Sequence, residues 1–96
     1  MGAARLDLDS REVHDPGRPD RAPVALSERE CELLSVLAVR PRQVFSRVAL
    51  LDLVFPEAGK PIVVDTYVHY LRRKLGREIV DTVRGRGYRL GRPQPR

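Results

Sequence analysis

Residues 82–90 of the chain are TVRGRGYRL, a stretch that holds three arginines and two glycines. Its first two residues, Thr82 and Val83, are β-branched and favour a strand, and the aromatic Tyr88 favours a returning strand. Glycine adopts the positive φ angles of tight turns and leaves little bulk at the tip of a hairpin. The stretch therefore predicts a β-hairpin whose turn, at residues 84–87, is narrow and basic.

A capping box marks the start of the first helix. Ser27 is followed three residues later by Glu30, the Ser-x-x-Glu pattern in which each side chain caps the other's backbone N–H. Pro41 ends the helix, because proline cannot continue it. Apolar residues at helical spacing predict the buried face: Cys31, Leu33, Leu34, Leu37 and Ala38. We interpret Cys31 as an inert core thiol.

Two further helices are predicted before the hairpin. Ser46 can cap a second helix, whose sequence RVALLDLVF (47–55) is apolar on nearly every side. The third helix is predicted at residues 62–75 and ends at Gly76, a helix-stop residue. Residues 56–61, PEAGKP, form the loop between these two helices.

The amino-terminal part of the chain predicts a small sheet. Apolar and polar residues alternate around Leu6, Leu8 and Val13, which indicates two short strands joined by a turn. Residues 23–26, PVAL, offer a third short strand. The predicted order is therefore sheet, helix, helix, helix and β-hairpin, an α+β arrangement.

Composition excludes several classes of protein. Ninety-six residues suffice for one domain, and no apolar run is long enough for a transmembrane helix. No leader for secretion is visible, so we expect a cytoplasmic protein without a membrane partner. The candidate reactive groups form no nucleophile–base pair and no metal-ligand spacing, so we expect no catalytic residue, cofactor or metal. These groups are His14, Cys31, Ser46 and His69.

Charge is distributed unevenly along the chain. Residues 1–71 hold nine Lys/Arg against eleven Asp/Glu, whereas residues 72–96 hold nine against two. The carboxy-terminal part thus has a balance of +7, which suggests a polyanionic partner, either nucleic acid or an acidic membrane face. A solvated tail that only aids solubility explains the charge equally well when it is taken alone.

The third helix has two different faces. At about 100° per residue, its apolar residues form one stripe that predicts the core face: Val64, Val68, Leu71 and Leu75. Mostly basic, hydrogen-bonding and aromatic residues point away from that stripe or flank it: Ile62, Asp65, Thr66, His69, Tyr70, Arg72, Arg73 and Arg77. An α-helix fits the DNA major groove, where such side chains can contact base edges and phosphates. An ordinary solvated helix surface is the alternative.

The hairpin adds a second basic projection after this helix. Arg84 precedes Gly85 and is expected to project from the hairpin toward DNA, and a narrow basic hairpin can enter a minor groove, whose negative potential attracts arginine. Arg86 lies at the tip and is expected to serve as a diffuse charge for phosphates. Tyr88 and Leu90 are expected to pack inward beneath the helix. Together these features favour double-stranded DNA as the partner, with an RNA-binding module or a protein adaptor as alternatives.

Three segments cover residues 26–90 almost continuously: LSERECELLSVLAVRPRQVFSRVALL (26–51), VVDTYVHYLRRKL (63–75) and TVRGRGYRL (82–90). They resemble the winged helix-turn-helix effector domain of OmpR/PhoB-type bacterial response regulators, and LRRKL followed by TVRGxGYRL is specific to that family. The resemblance implies an α+β winged helix-turn-helix fold. Such a fold has a small amino-terminal antiparallel sheet (the platform sheet), three helices and a carboxy-terminal β-hairpin (the wing).

The resemblance also implies roles for individual residues. Helix 62–75 is expected to be the recognition helix in the major groove, and the wing, 79–90, is expected at the minor groove. The resemblance places Asp65, Thr66, His69, Tyr70 and Arg72 at DNA-contacting positions of the helix, and Arg73 is expected to join them from its place on the outward face. In the wing, the resemblance implies that Thr82 contacts a phosphate and Arg84 the minor groove, and Arg86 is expected to add its charge from the tip of the hairpin.

Further partners follow from the same resemblance. Residues 56–61 resemble the loop that touches RNA polymerase in activators, so Glu57 and Lys60 are candidate contacts. The family resemblance also implies binding to direct repeats of DNA and a receiver domain that lies outside this chain. The predicted division is 1–21 for the strands and loop of the platform sheet, 22–91 for the winged helix-turn-helix core and 92–96 for a disordered tail.

The chain departs from the family pattern at several positions. Basic residues are common in the family where this chain has His69 and Tyr70, so its preferred DNA sequence cannot be transferred from a relative. Cys31 stands where the family often has a larger core residue. A tryptophan is common near Phe55 in the family, and this chain has none.

Overall fold

The computed structural model describes residues 5–15 and 20–91. The tail predicted at 92–96 lies outside these ranges, and the division predicted after residue 21 stays a prediction. The described chain consists of a small antiparallel sheet, three α-helices and a β-hairpin, the α+β winged helix-turn-helix order that the sequence predicted. None of the helices in the described ranges is long and apolar enough to cross a membrane.

Three short strands form the platform sheet. They are β1 (Arg5–Asp7), β2 (Glu12–His14) and β3 (Val24–Ala25), hydrogen-bonded in the order β1-β2-β3. Leu6 pairs with Val13, and Val13 pairs with Val24. One apolar row therefore crosses the sheet and packs on the core. The alternating sequence predicted the two strands β1 and β2, but Leu8, which belonged to that alternation, lies in the turn after β1 and is 64% exposed.

Three α-helices follow at the predicted positions. They are α1 (Glu28–Val39), α2 (Arg47–Val54) and α3 (Ile62–Leu75). The capping box of α1 is complete: the Glu30 N–H donates to Ser27 Oγ at 3.2 Å, and the Ser27 N–H donates to Glu30 Oε1 at 2.8 Å. Ser46 Oγ accepts from the Ala49 N–H at 3.0 Å and caps α2. Gly76, with φ 102°, ends α3.

The helices pack their apolar faces into one core. Its most enclosed large side chains are Leu33, Leu37, Leu50, Val54, Val64, Val68, Leu71 and Val80. The prediction was wrong for Ala38, which is exposed like its neighbour Val39 (76%), whereas Leu37 in the same last turn of α1 is fully buried. Leu75 is half-buried against the core. Cys31 is buried as predicted, and burial raises the pKa of its thiol, which therefore stays protonated at neutral pH.

The wing consists of β4 (Val80–Val83) paired with β5 (Gly87–Leu90). It begins one residue later than predicted, because Arg77–Ile79 form a short 3₁₀ helix in which the Ile79 N–H donates to the Gly76 carbonyl at 3.3 Å. The predicted four-residue turn is also one residue too long, since Gly87 already belongs to β5.

A close backbone contact explains why Gly87 lies in the strand. Phe45 and Tyr88 exchange two backbone hydrogen bonds, of 2.8 and 2.9 Å, which attach β5 to the segment before α2. A Cβ atom at Gly87 would overlap the Phe45 carbonyl, and its φ of 141° is in the region that favours glycine. Glycine at this position therefore allows the wing to lie against the body of the domain.

Candidate nucleic-acid interface

The face of α3 that points away from the core has exposed polar side chains. Thr66, His69, Tyr70 and Arg73 are all exposed, as the helical spacing predicted. Thr66 Oγ1 donates to the Ile62 carbonyl at 3.2 Å, which leaves lone pairs on the hydroxyl oxygen free to accept. Within the described part of the chain, the Arg73 guanidinium has no hydrogen bond or ion pair. This face of α3 thus presents an acceptor, two aromatic rings and a cation to solvent.

An aromatic row holds Tyr70 in place. The ring centroids of Phe55 and Tyr67 lie 4.8 Å apart, and those of Tyr67 and Tyr70 lie 5.3 Å apart in an edge-to-face contact. The His69 ring lies 6.3 Å from that of Tyr70. Because Phe55 is buried, the row connects the core with the exposed face of α3. Sequence reasoning missed Tyr67, and its position between the two faces of α3 was the available signal.

The tip of the wing is basic and exposed. Arg84, Gly85 and Arg86 form the turn, which a hydrogen bond from the Arg86 N–H to the Val83 carbonyl closes at 2.9 Å. Gly85 has φ 73°, a left-handed conformation that favours glycine. Both arginine side chains are exposed, and neither is hydrogen-bonded or ion-paired to any residue that the structure describes. The turn therefore offers two guanidinium groups to a partner.

Asp65 lies at the junction of α2, α3 and the wing, and its carboxylate is hydrogen-bonded within the protein. Arg47, at the start of α2, donates from Nε to Oδ1 at 3.1 Å and from Nη2 to Oδ2 at 2.7 Å. The Tyr88 hydroxyl of β5 donates to Oδ1 at 2.7 Å. Burial, and then this hydrogen bond, raises the pKa of Tyr88 to about 12, so the hydroxyl remains a donor at neutral pH. Sequence reasoning did not identify Arg47, which lies in another helix.

Arg72 makes a second connection between α3 and the wing. Its Nε and Nη2 donate to the Val80 carbonyl at 3.3 and 2.7 Å, and Nη2 also donates to Thr82 Oγ1 at 2.9 Å. Its guanidinium carbon lies 6.0 Å from the centroid of the Tyr88 ring. Thr82 is exposed and accepts in this hydrogen bond, so its own hydroxyl hydrogen can still be donated to a partner.

The loop between α2 and α3 holds its two candidate contact residues differently. Glu57 accepts from Arg29 Nη2 at 2.8 Å, and Nη1 of the same arginine donates to the Val54 carbonyl at 2.8 Å. Lys60 is exposed, and no residue in the described ranges forms a hydrogen bond or ion pair with its ammonium group. Arg29 therefore ties Glu57 and the end of α2 to α1, whereas Lys60 is available to a partner.

The surface that α3 and the wing form has the chemistry of a polyanion-binding site. Its exposed cations are Arg73, Arg84 and Arg86, and hydroxyl and ring groups lie beside them. Residues 5–15 and 20–91 contain no cluster of three or more His, Cys, Asp or Glu side chains that could hold a metal ion. The arrangement can bind phosphates and base edges, which are recognised by charge and hydrogen bonds.

Comparison of sequences identifies relatives that regulate transcription. A family model described as "Transcriptional regulatory protein, C terminal" matches residues 21–90. The chain is 40% identical over 99 residues to the transcriptional regulatory protein TrcR of Mycobacterium tuberculosis, a match that covers 98% of this chain and 37% of TrcR. It is 35% identical over 96 residues to the response regulator protein PmrA of Pseudomonas aeruginosa, covering 98% of this chain and 42% of PmrA. The chain thus spans well under half the length of these relatives.

Solved structures share the fold over nearly the whole chain. The DNA-binding domain of Bacillus subtilis CssR is 32% identical, with a TM-score of 0.78, and the match covers 92% of this chain and 99% of that domain. The DNA-binding domain of the response regulator AdeR, solved in complex with an intercistronic region, is 27% identical, with a TM-score of 0.78 and coverage of 97% and 98%. These matches are to regulatory domains rather than to enzymes. The chain belongs to the family of transcriptional regulatory protein C-terminal domains, the winged helix-turn-helix DNA-binding domains of OmpR/PhoB-type response regulators.

Proposed function

We propose that this chain binds double-stranded DNA sequence-specifically, with α3 in the major groove and the wing at the minor groove, as the effector domain of a transcription regulator. This proposal rests mainly on one observation: α3 and the tip of the wing expose polar and charged side chains that the described part of the protein leaves available to bind a partner. These groups belong to Thr66, His69, Tyr70, Arg73, Arg84 and Arg86. Membership of a family of DNA-binding domains supports the same conclusion.

Residues of α3 supply the contacts that distinguish one base pair from another. Thr66, His69 and Tyr70 contact base edges, since their donors, acceptors and rings match the patterns that the major groove displays. The aromatic row fixes the Tyr70 ring before binding, which reduces the ordering cost of that contact. Arg73 contacts a guanine or a phosphate through its exposed guanidinium.

Residues of the wing contact the backbone and the minor groove. The free hydroxyl hydrogen of Thr82 is donated to a phosphate oxygen while its oxygen accepts from Arg72. Arg84 enters the minor groove, where the negative potential favours a guanidinium. Arg86, at the exposed tip, neutralises phosphates without a fixed geometry.

Selection from a random-sequence pool of duplex DNA tests the proposal. Wild-type protein should enrich one sequence class and bind it more tightly than a scrambled duplex, with affinity that falls steeply as salt rises. Arg84→Ala should weaken binding of the selected duplex strongly without lowering the melting temperature. Arg86→Ala should weaken binding of selected and scrambled duplexes alike, and should reduce the salt slope by about one.

Two alternative partners are separated by the same assay. An RNA-binding module would bind an RNA duplex or single strand at least as tightly as the selected DNA. A protein adaptor would bind neither nucleic acid in a salt-dependent way. Either result would overturn the proposal, since phosphate contacts make DNA affinity strongly dependent on salt.

In a longer regulator, this domain would act together with a receiver domain in the cytoplasm. The chain covers 37% of TrcR and 42% of PmrA, which leaves length for another domain in such relatives. We propose that two domains bind direct repeats spaced by about one helical turn, roughly 10 bp. Half a turn of DNA inserted between the repeats should abolish joint occupancy in a footprint, and unchanged occupancy would contradict the arrangement.

The α2–α3 loop is the proposed contact with RNA polymerase. Among the residues that the structure describes, none pairs with the exposed Lys60 ammonium group, whereas Glu57 is paired with Arg29 at 2.8 Å. Changing Glu57 and Lys60 together should therefore reduce transcription while leaving DNA affinity intact. A parallel loss of transcription and DNA affinity would show that the loop only supports the fold.

A further inference from the structure

We propose that Asp65 is a positioning residue that holds the wing against α3, and that its carboxylate contacts no base. This inference rests on the proposed binding of duplex DNA by α3 and the wing. The position of Asp65 in the sequence, beside the outward face of α3, is equally compatible with a base contact. The geometry of the carboxylate distinguishes the two roles.

Three protein donors occupy the Asp65 carboxylate. Oδ1 accepts from Arg47 Nε at 3.1 Å and from the Tyr88 hydroxyl at 2.7 Å, and Oδ2 accepts from Arg47 Nη2 at 2.7 Å. The two parallel hydrogen bonds from Arg47 form a bidentate pair, which is more directional and stronger than a single neutral bond. A base donor would have to compete with these bonds, and the carboxylate would have to approach the phosphates that repel it. The carboxylate is therefore engaged with the protein.

The wing is held at two points on one edge of α3. Asp65 and Arg72 are seven residues apart, about two helical turns, so they lie on the same side of the helix. Asp65 binds Tyr88 and Arg72 binds Thr82, and these two residues are partners in the β4–β5 register. Two contacts to one cross-strand pair restrict pivoting of the hairpin about its base. The distance between the wing tip and the outward face of α3 is thus set before DNA binds.

Fixing the orientation of the wing should raise the affinity for a selected duplex more than the affinity for a scrambled duplex. A selected duplex is contacted by α3 and the wing at the same time, so a wing of fixed orientation lowers the ordering cost of the complex. Binding to a scrambled duplex depends on phosphate neutralisation, which the exposed arginines provide in many orientations. We call the contacts of Asp65 with Arg47 and Tyr88 the joint. Weakening the joint should therefore reduce the ratio of the affinity for the selected duplex to the affinity for the scrambled duplex.

Four variants of the 96-residue chain test this prediction: Asp65→Asn, Tyr88→Phe, the double variant, and Asp81→Asn as the control. Asp81 pairs with Arg89 at 3.5 Å and lies next to Thr82 in β4, on the opposite face of the hairpin. The control thus makes the same change of charge in the wing without touching the joint. The probes are the duplex that the wild-type chain selects from a random pool and a scrambled duplex of equal length.

We expect Asp65→Asn to bind the selected duplex about tenfold more weakly than its charge-matched control, Asp81→Asn, does. We expect Tyr88→Phe to bind it about tenfold more weakly than wild type does. Affinity for the scrambled duplex should change less than about twofold. The double variant should lose clearly less than the about hundredfold expected of independent changes, because both substitutions disrupt the same cluster of hydrogen bonds around Asp65. Repeated selection with each variant should recover the same base preference as wild type.

Other outcomes would overturn the inference. A changed base preference at one position in Asp65→Asn, with Tyr88→Phe unaffected, would show that Asp65 contacts a base. Unchanged affinity ratios in both variants would show that the joint does not position the wing. If Asp65→Asn fails to fold, the affinity ratio of Tyr88→Phe alone tests the inference, because this variant loses only a hydroxyl group and should fold. A wild-type chain that does not discriminate between the two duplexes would overturn the proposed function itself, and this inference with it.

Discussion

Glu30 on α1 and Asp65 on α3 are both carboxylates that accept hydrogen bonds from a cation on another helix, yet their surroundings differ. The Glu30 side chain is 6% exposed and accepts from Lys74 Nζ at 2.6 Å, whereas the Asp65 side chain is 31% exposed and accepts from Arg47 Nη2 at 2.7 Å. Lys74 also donates to the Ala25 carbonyl at 3.1 Å, so the Glu30 cluster joins the platform sheet, α1 and α3. The Asp65 cluster joins α2, α3 and the wing.

Because Glu30 is more deeply buried than Asp65, we infer that the Glu30 cluster has a structural role and the Asp65 cluster a functional one. Burial by itself raises the pKa of Glu30, but hydrogen bonds from Lys74 and from the Ser27 backbone outweigh burial and hold that pKa below its usual value. A buried carboxylate that loses its partner is costly, whereas an exposed ion pair contributes little net free energy. The Glu30 cluster therefore acts mainly on stability, and the Asp65 cluster acts mainly on the placement of the wing.

The largest effect on stability is expected for Lys74→Met. The substitution leaves the Glu30 carboxylate enclosed without its cation, and we expect a loss of about 2–3 kcal/mol in the free energy of unfolding. This is below the range for fully buried pairs because the Lys74 side chain is 38% exposed. Urea denaturation measures the loss. The ratio of selected to scrambled DNA affinity should remain that of wild type wherever the variant is folded.

Lys60→Met is the matched control for this prediction. Lys60 is exposed in the α2–α3 loop, so the same chemical change there should alter the free energy of unfolding by less than about 0.5 kcal/mol. Equal stabilities of the Lys74 and Lys60 variants would remove the contrast between the Glu30 and Asp65 clusters.

The Asp65 cluster should weaken at alkaline pH through Tyr88. The folded pKa of about 12 lies above the ordinary tyrosine pKa of 10.0, so the stabilisation is complete below about pH 10 and is lost as pH rises toward 12. Between about pH 9 and pH 11, wild type should lose about 1 kcal/mol more than Tyr88→Phe, which has no hydroxyl to ionise. Parallel losses in the two proteins would mean that the Tyr88 hydroxyl does not stabilise the folded state.

The Glu30 cluster should weaken at the opposite end of the pH range. The folded pKa of Glu30 lies below the ordinary glutamate pKa of 4.5, so the stabilisation is complete above that pH and is lost as pH falls through the folded pKa. Glu30→Gln should therefore lose less stability than wild type on acidification below pH 4.5, by an amount smaller than the alkaline effect. Glu28→Gln, an exposed change on the same helix, should follow the wild-type curve. A wild-type slope in Glu30→Gln would contradict this assignment.

The fold was predictable because local signals agreed with each other. Ser27, Ser46 and Gly76 mark helix ends through bonds and backbone angles that depend on neighbours in sequence. The boundaries that failed depend on distant contacts: Gly87 belongs to β5 because its backbone meets Phe45, more than forty residues away. Helical period likewise placed Ala38 on the buried face, although the structure has it exposed beside the buried Leu37.

The sequence predicted which face of α3 is exposed at the candidate site, but it did not predict which residues of other elements bond to the side chains there. Helical spacing placed Thr66, His69 and Tyr70 on the exposed side of α3, where the structure has them. The same spacing could not separate Asp65 from these residues, because its role depends on Arg47 and Tyr88, in other elements of the fold. Pairing across elements is a property of packing, which a single sequence does not display.

The smallest effect on stability is expected for a substitution of Asp81, a third carboxylate, which is more exposed than Glu30 and Asp65. Its side chain is 43% exposed, and its closest approach to Arg89 is 3.5 Å, longer than the corresponding distances at Glu30 and Asp65. Exposed pairs with such geometry contribute about 0–1 kcal/mol, so Asp81→Asn should change the free energy of unfolding by less than about 0.5 kcal/mol. Loss of one negative charge should also raise affinity for scrambled DNA slightly at low salt, and the gain should vanish as salt screens it. Urea denaturation and salt titration of DNA binding measure both effects. A loss of stability at Asp81 as large as that for Lys74→Met would show that burial does not rank these three carboxylates, and the distinction between the Glu30 and Asp65 clusters would then need another cause.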